Sequence, residues 1–192
     1  MNGAEEGPDG KPRCPWGFST PEYVDYHDTE WGRPLHGETE LFERLILEAF
    51  QSGLSWLTIL RKRENFRKAF DGFDIEKVAA YGDAEVARLM SDEGIVRNRK
   101  KVDAAITNAR AARELGAAGE TLNELVWSFA PDADSRPAPR TGADVPAITP
   151  ESTALAKELK RRGFVFVGPT TAYATMQAAG LVNDHLEGCA FR

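Results

Sequence analysis

Cysteine and histidine are scarce in this chain: it has two cysteines and three histidines among 192 residues. Two cysteines exclude a disulfide scaffold, and a chain of this length buries a sizeable core without one. Long hydrophobic runs are also missing. No apolar stretch approaches the roughly 20 residues of a membrane span, and the acidic start Met1–Asp9 has no apolar segment of a secretion signal. A soluble, cytoplasmic protein without a membrane partner is expected. Basic charge is in deficit too, with a net charge of −6. Over the whole chain this argues against nucleic acid, because phosphate contacts need Lys and Arg.

The deficit is uneven. Residues 1–60 carry 4 basic and 11 acidic groups, whereas residues 61–113 carry 13 and 9, a local net of +4. Arg61, Lys62, Arg63, Arg67 and Lys68 form one cluster, and Arg97, Arg99, Lys100 and Lys101 form another. Such clusters fit a solvated helix face as well as a phosphate-facing one.

The pattern of apolar residues is helical nearly throughout. Leu41, Phe42, Leu45, Ile46 and Ala49 share one arc at 100° per residue. A second helix is expected over 55–70, and Asp74 and Asp83 stand where helix caps belong. Gly94 interrupts the pattern, which restarts near Asn98. Thr149 followed by Pro150 is a strong helix start, running to Arg162 and stopped at Gly163. The run Phe164–Val167 has strand composition but no partner strand, which makes it a buried connector, and a last helix follows from about Thr170. The expectation is an all-α fold: a mobile tail over 1–13, then one helical domain over 14–192 with an exposed, proline-rich loop at 131–148.

Four of the five Cys and His residues fall into two tight groups at opposite ends, Cys14 with His27 and His185 with Cys189. Two thiolates and two imidazoles make a closed tetrahedral shell for Zn²⁺ with no place for a reactive water, which suits a structural metal. A Cys14–Cys189 disulfide, or buried cysteines with unrelated surface histidines, fit the spacing as well. A tie between positions 14 and 189 costs about 4 to 5 kcal/mol in loop entropy, within the roughly 10 to 16 kcal/mol that structural zinc supplies in small peptides. His36 has no clustered partner and is expected at the surface.

Trp16, Tyr23, Tyr26, Trp31 and Trp56 are crowded into a polar stretch, where their O–H and N–H groups need partners. Glu48 borders the apolar arc of its helix, so its carboxylate either snorkels to solvent or is partly buried at a site. Aromatic faces with one carboxylate would recognise a flat, cationic ring such as a methylated purine. Next to Glu48, Gly53 permits a bend and Leu54 is either an apolar wedge for base steps or a core leucine. The segment 89–106 reads as helix, Gly94 turn and basic helix, a phosphate-binding pattern that many α-hairpins share.

Taken together, RCPWG at 13–17, YVDYHDTEWGRP at 23–34, LFERLILEAFQSGLSWLTILRKRENF at 41–66, GIVRNRKKV at 94–102, VWSF at 126–129 and RRGFVFVGPTTAYATMQAAGLVNDHLEGC at 161–189 closely resemble the 3-methyladenine DNA glycosylase I family. The resemblance spans nearly all of 13–189. It implies a monomeric helix-hairpin-helix glycosylase fold with a zinc clip joining the two ends, and hydrolysis of the N-glycosidic bond of 3-methyladenine in alkylated double-stranded DNA, with the free base as product. It implies Cys14, His27, His185 and Cys189 as zinc ligands and Glu48 as the carboxylate that contacts the base, the catalytic candidate, acting either as a general base or only as a reader of the base. Tyr23, Tyr26, Trp31 and Trp56 would surround the base, and Gly53 with Leu54 would plug the gap in the duplex. Gly94, Arg97, Arg99, Lys100 and Lys101 would hold the phosphates. A zinc-stapled DNA-binding module without catalysis is the competing reading.

Overall fold

The computed structural model describes residues 3–192, without the side chain of Asp134. Its central element is α2 (Glu38–Gln51), in which every residue from Leu41 to Phe50 except Glu43 is buried. Arg44 and Glu48 are carried into the interior with the leucines, because neighbouring elements pack around all sides of this helix. Those neighbours are α3 (Trp56–Ala69), α6 (Arg99–Ala117), α7 (Leu122–Trp127) and α9 (Pro169–Ala178). α1 (Pro21–Thr29) leans on α3, α4 (Ile75–Ala79) and α5 (Asp83–Ser91) lie against α6, and α8 (Pro150–Arg161) pairs with α9. Phe42, Phe50, Phe66, Phe70 and Phe73 are fully buried in one continuous core.

The helix starts follow local chemistry. Ser55, Asp74, Asn98 and Thr149 each accept a hydrogen bond from the backbone N–H three residues on, which satisfies a donor that the helix leaves free. Asp83 does not cap α5. Gly82 occupies that position, and its N–H donates to the Glu85 carboxylate at 2.8 Å. At the start of α7 the N–H groups of Leu122 and Asn123 donate to the two carboxylate oxygens of Glu38 at 2.7 and 2.9 Å, tying α7 to the first turn of α2.

Two expectations are corrected. Residues 3–13 are folded against the domain and are not a mobile tail, while Met1 and Asn2 lie outside the described residues. β1 (Glu5–Glu6) and β2 (Pro12–Arg13) form a two-stranded antiparallel hairpin. Arg13 is buried, with its guanidinium paired to Asp9 at 2.6 Å and Asp28 at 2.7 Å and lying 4.9 Å from the Phe191 ring. Ala190 N donates to the Pro12 carbonyl, so the two chain ends meet. The second correction concerns 164–167, where Phe164 enters the core and Val167 packs against it half-buried. Val165 and Phe166 are each 43% exposed at the turn between α8 and α9, and Phe166 has φ +63°. The buried Asn108 amide holds this turn, taking the Val165 N–H and donating to its carbonyl, which leaves both side chains outward. The 131–148 segment is mostly exposed as expected, but it is anchored by Arg136, which reaches Tyr173 and Asp184, and by the Pro139 carbonyl, which accepts from Glu187 N.

Candidate active site and metal centre

Cys14, His27, His185 and Cys189 converge in one buried group whose ligand atoms all lie within 4.8 Å of one another. It is a four-donor arrangement that could hold a metal ion. Both cysteines are free thiols, which sets aside the disulfide. The histidines are oriented from outside the group. His27 Nδ1 lies 2.8 Å from Asp28 Oδ1, and His185 Nε2 lies 2.9 Å from the Trp31 carbonyl. Each ring therefore gives its N–H to an oxygen and turns its other nitrogen inward, as metal-ligating imidazoles do. Burial also pushes His185 down to about 4 and His27 below its ordinary value, keeping both rings neutral. Arg13 extends the arrangement by gripping both oxygens of Asp28.

The aromatic cluster sits on this four-donor group. Trp16 is set by a short 3-10 turn, Pro15–Phe18, and packs edge-on against His27 at 5.0 Å, Trp31 at 5.0 Å and Tyr23 at 5.5 Å. Trp31 packs on His185 at 4.8 Å, and Tyr26 is tilted against Trp56 at 5.5 Å. These rings enclose a cavity of about 310 Å³ lined by Trp16, Tyr23, Tyr26, Trp31, Glu48, Gln51, Trp56, Ala174 and Gln177. That is the low end of ligand-site volumes, roughly 300 to 1,000 Å³, and suits a single heterocyclic base. A larger hollow of about 550 Å³ opens behind Trp16 and Trp31, but it lacks Glu48, Tyr23, Tyr26 and Trp56.

Glu48 is the only carboxylate in the smaller cavity's lining. It is 6% exposed, and among the described residues no hydrogen bond or ion pair reaches it, so the snorkelling alternative fails. Burial raises its pKa to about 7, with Arg44 one turn earlier pulling the other way. The Arg44 guanidinium is engaged elsewhere, donating to Tyr26 Oη at 3.2 Å and to Glu30 at 3.2 Å, and lying 5.4 Å from the Tyr26 ring and 5.9 Å from the Trp56 ring. A buried cation thus stiffens the aromatic wall while leaving the carboxylate unclaimed. Trp56 Nε1 is buried without a partner, a second polar group with unused capacity on the same wall.

The residues expected at phosphates are divided by the structure. Gly53 takes φ +79° with no atom within 4 Å of a would-be Cβ, and Leu54 is 37% exposed beside the cavity residue Gln51, so Leu54 is not a core leucine. Arg97, Arg99 and Lys100 are exposed, with Arg99 paired to Asp103 at 2.9 Å. Gly94 and Lys101 have partners within the protein. The Gly94 N–H already donates to Asp92 at 2.7 Å. Lys101 is buried, with Nζ donating to the Phe50 and Ser52 carbonyls at 2.7 and 2.6 Å. It faces inward because the end of α2 presents carbonyls that no helical N–H can reach, and in doing so it fixes the turn that displays Leu54. A Lys101→Met variant is expected to lose about 2 kcal/mol in urea denaturation and to exchange the Leu54 amide faster. An unchanged midpoint and exchange rate would contradict this anchoring role.

Arg44, Gln51, Ala174 and Gln177 were not singled out from sequence. An arginine four residues before Glu48 was a usable signal, since the two share a helix face. Gln177, 129 positions from Glu48 in sequence, carried none.

Comparison with known proteins agrees with this geometry. The family model described as methyladenine glycosylase matches residues 16–192. DNA-3-methyladenine glycosylase 1 of Escherichia coli (strain K12) is 48% identical over 177 residues, covering 92% of this chain and 95% of the relative. A crystal structure of 3-methyladenine DNA glycosylase I superposes with a TM-score of 0.87 at 47% identity, covering 93% of this chain and 98% of the other. A Tyr-to-Phe variant of 3-methyladenine DNA glycosylase I, crystallised with 3-methyladenine, superposes with a TM-score of 0.85 at 36% identity, covering 93% and 96%. The chain therefore belongs to the methyladenine glycosylase family.

Proposed function

We propose that the protein hydrolyses the N-glycosidic bond of 3-methyladenine in alkylated double-stranded DNA, releasing the free base and leaving an abasic site. The observation that carries this reading is Glu48, a buried and unpartnered carboxylate on the wall of an aromatic cavity the size of one base. Leaving a carboxylate buried and unpaired is costly unless something brings a compensating charge or donor. A base methylated at N3 brings both, through its delocalised positive charge and its exocyclic amine. The relatives named for 3-methyladenine, and the one crystallised with it, support the assignment.

The duplex cannot enter a cavity this small, so the lesion leaves the base stack and swings in. Leu54, displayed on the Gly53 turn at the rim, fills the space left behind. Methylation already weakens the glycosidic bond, and the leaving base needs no strong acid. Aromatic faces stabilise the cationic ring. Glu48 accepts a hydrogen bond from the base and stabilises positive charge as the bond to the sugar breaks, and water completes the hydrolysis.

Two exposed regions are assigned to the DNA backbone. One is the basic patch of Arg97, Arg99 and Lys100. The other is the α8–α9 hairpin, with Val165 and Phe166 at its tip, Lys157 and Lys160 beside it, and a Gly168 start to α9 that has no side-chain cap. The same α9 carries Ala174 and Gln177 into the cavity, so a backbone held at its first turn passes close to the base site.

The four-donor group is assigned to a structural zinc ion. Zn–S bonds of about 2.3 Å and Zn–N bonds of about 2.05 Å in a tetrahedron place two nitrogens about 3.3 Å apart and a sulfur and nitrogen about 3.6 Å apart. His27 Nε2 and His185 Nδ1 are 3.2 Å apart, and the sulfur–nitrogen separations are 3.5, 3.7 and 3.9 Å. The residues fit the ion, and four protein ligands leave it no position for a reactive water. Its contribution is to lock His27 and His185 beneath Trp16 and Trp31.

Release of 3-methyladenine from methylated duplex DNA tests the reading, and purified protein that binds alkylated DNA but frees no base would support the binding-module alternative. That alternative leaves the buried charge of Glu48 without a purpose.

A further inference from the structure

Gln177 shares the base cavity with Glu48. An amide can turn either its oxygen or its nitrogen toward a ligand, and here the choice is made from behind. Gln177 Nε2 lies 3.0 Å from Asp184 Oδ2. Asp184 is 4% exposed, accepts the Tyr173 hydroxyl on the same oxygen, and is ion-paired through Oδ1 with Arg136 at 3.2 Å. Arg136 also donates to Tyr173 Oη at 2.8 Å, which closes the cluster. A carboxylate surrounded by donors offers only acceptors, so Gln177 gives it the nitrogen and its Oε1 is directed elsewhere. Among the described residues Oε1 has no partner, and it is not one of the sealed, unsatisfied polar atoms of the interior.

We infer that Gln177 is a specificity-determining residue, whose Oε1, aimed by the Asp184–Tyr173–Arg136 cluster, accepts a hydrogen bond from the exocyclic amine of the bound base and disfavours a purine with a carbonyl there. The inference rests on the glycosylase reading above. The amine is the only strong donor on the 3-methyladenine ring and carries two hydrogens. The cavity lining offers the Glu48 carboxylate and Gln177 Oε1 as free acceptors for them, with Gln51 Oε1, whose Nε2 donates to the Leu54 carbonyl, as a third. A 6-carbonyl base would set its own oxygen against these acceptors and leave them unpaired, and polar sites reject ligands most strongly in this way.

The probes are free 3-methyladenine and 3-methylhypoxanthine, which differ at this position, followed by quenching of tryptophan fluorescence. Wild-type protein is expected to prefer 3-methyladenine. Gln177→Met, similar in length but without the acceptor, should weaken 3-methyladenine binding about tenfold and leave 3-methylhypoxanthine binding no weaker. Asp184→Asn, which frees the amide to turn over, should also narrow the preference while Gln177 is retained. A Gln177→Met protein with wild-type melting temperature and an unchanged preference, or with equal weakening for both bases, would overturn the inference. Quenching by 3-methyladenine without base release from methylated DNA would instead overturn the glycosylase reading, while the preference between the two bases would still judge Gln177.

Discussion

Glu48→Gln is expected to slow release of 3-methyladenine by about 10² to 10³-fold, the range seen when one preorganised electrostatic group is removed from a transition state, and at the same time to raise the melting temperature. Both effects come from the same cost. Burial lifts the carboxyl to about 7 in the folded chain, against about 4.3 for an exposed glutamate. Between those values the folded protein keeps a proton that the unfolded chain has released. Stability is therefore fully present below the lower value and falls as pH rises through the upper one. A difference of this size corresponds to at most about 4 kcal/mol above pH 7. The neutral amide removes that loss, so the variant should melt about 2 to 4 °C higher for each kcal/mol recovered, and the two proteins should converge below about pH 4. Activity runs in the opposite direction. If the ionised carboxylate is the working form, kcat/KM rises with pH up to about 7 and then levels off, while the variant shows no such step. A lesion that brings positive charge into the cavity pulls the carboxyl down, so the kcat profile should rise at lower pH than kcat/KM. Calorimetry and pH–rate profiles of the two proteins check both halves.

Removal of the metal, or Cys189→Ser, is expected to cost on the order of 5 kcal/mol or more, since a site tying residues 14 and 189 contributes directly to folding free energy. Whole domains are stable by only about 5 to 15 kcal/mol, so the altered protein should be marginal at 37 °C. Base binding should weaken as well, because the two histidines support Trp16 and Trp31 from below. Metal analysis should return one zinc per chain. Chelated protein with an unchanged melting curve and unchanged quenching by 3-methyladenine would remove the metal from the account of both fold and site.

Where the physics is local, the sequence was readable. Asp74 and Thr149 cap helices as expected, and the helices expected from Ser55 and near Asn98 begin there, because a side-chain oxygen beside free N–H groups is a matter of a few residues; Asp83 misses by one position, Gly82 taking the cap. The pairing of Cys14 and His27 with His185 and Cys189 was readable despite the distance, since few other arrangements employ four such scarce residues. Glu48 was half readable: its position at the border of an apolar arc left solvent and interior open, and the choice was made by helices packing around every side of α2. Arg13 looked like part of a tail because its partners Asp9 and Asp28 and the Phe191 ring come together only in three dimensions. Lys101 belonged to a basic run by composition, but the open carbonyls at the end of α2 turned it inward. Phe166 read as buried from its hydrophobicity, whereas the Asn108 clamp on the neighbouring backbone holds it at an exposed turn. Net charge over the whole chain is a coarse guide for the same reason, since it hides three exposed cations gathered at one helix start and two beside a hairpin.

The most direct test of the whole account is single-turnover release of 3-methyladenine from methylated duplex DNA by zinc-loaded wild-type protein and Glu48→Gln, side by side at pH 7.5. Release by the wild type is expected, with a loss of about 10²-fold or more in a variant that still binds DNA and melts no lower than the wild type. Equal rates in the two proteins would contradict the role given to Glu48, and no release by either would contradict the glycosylase itself.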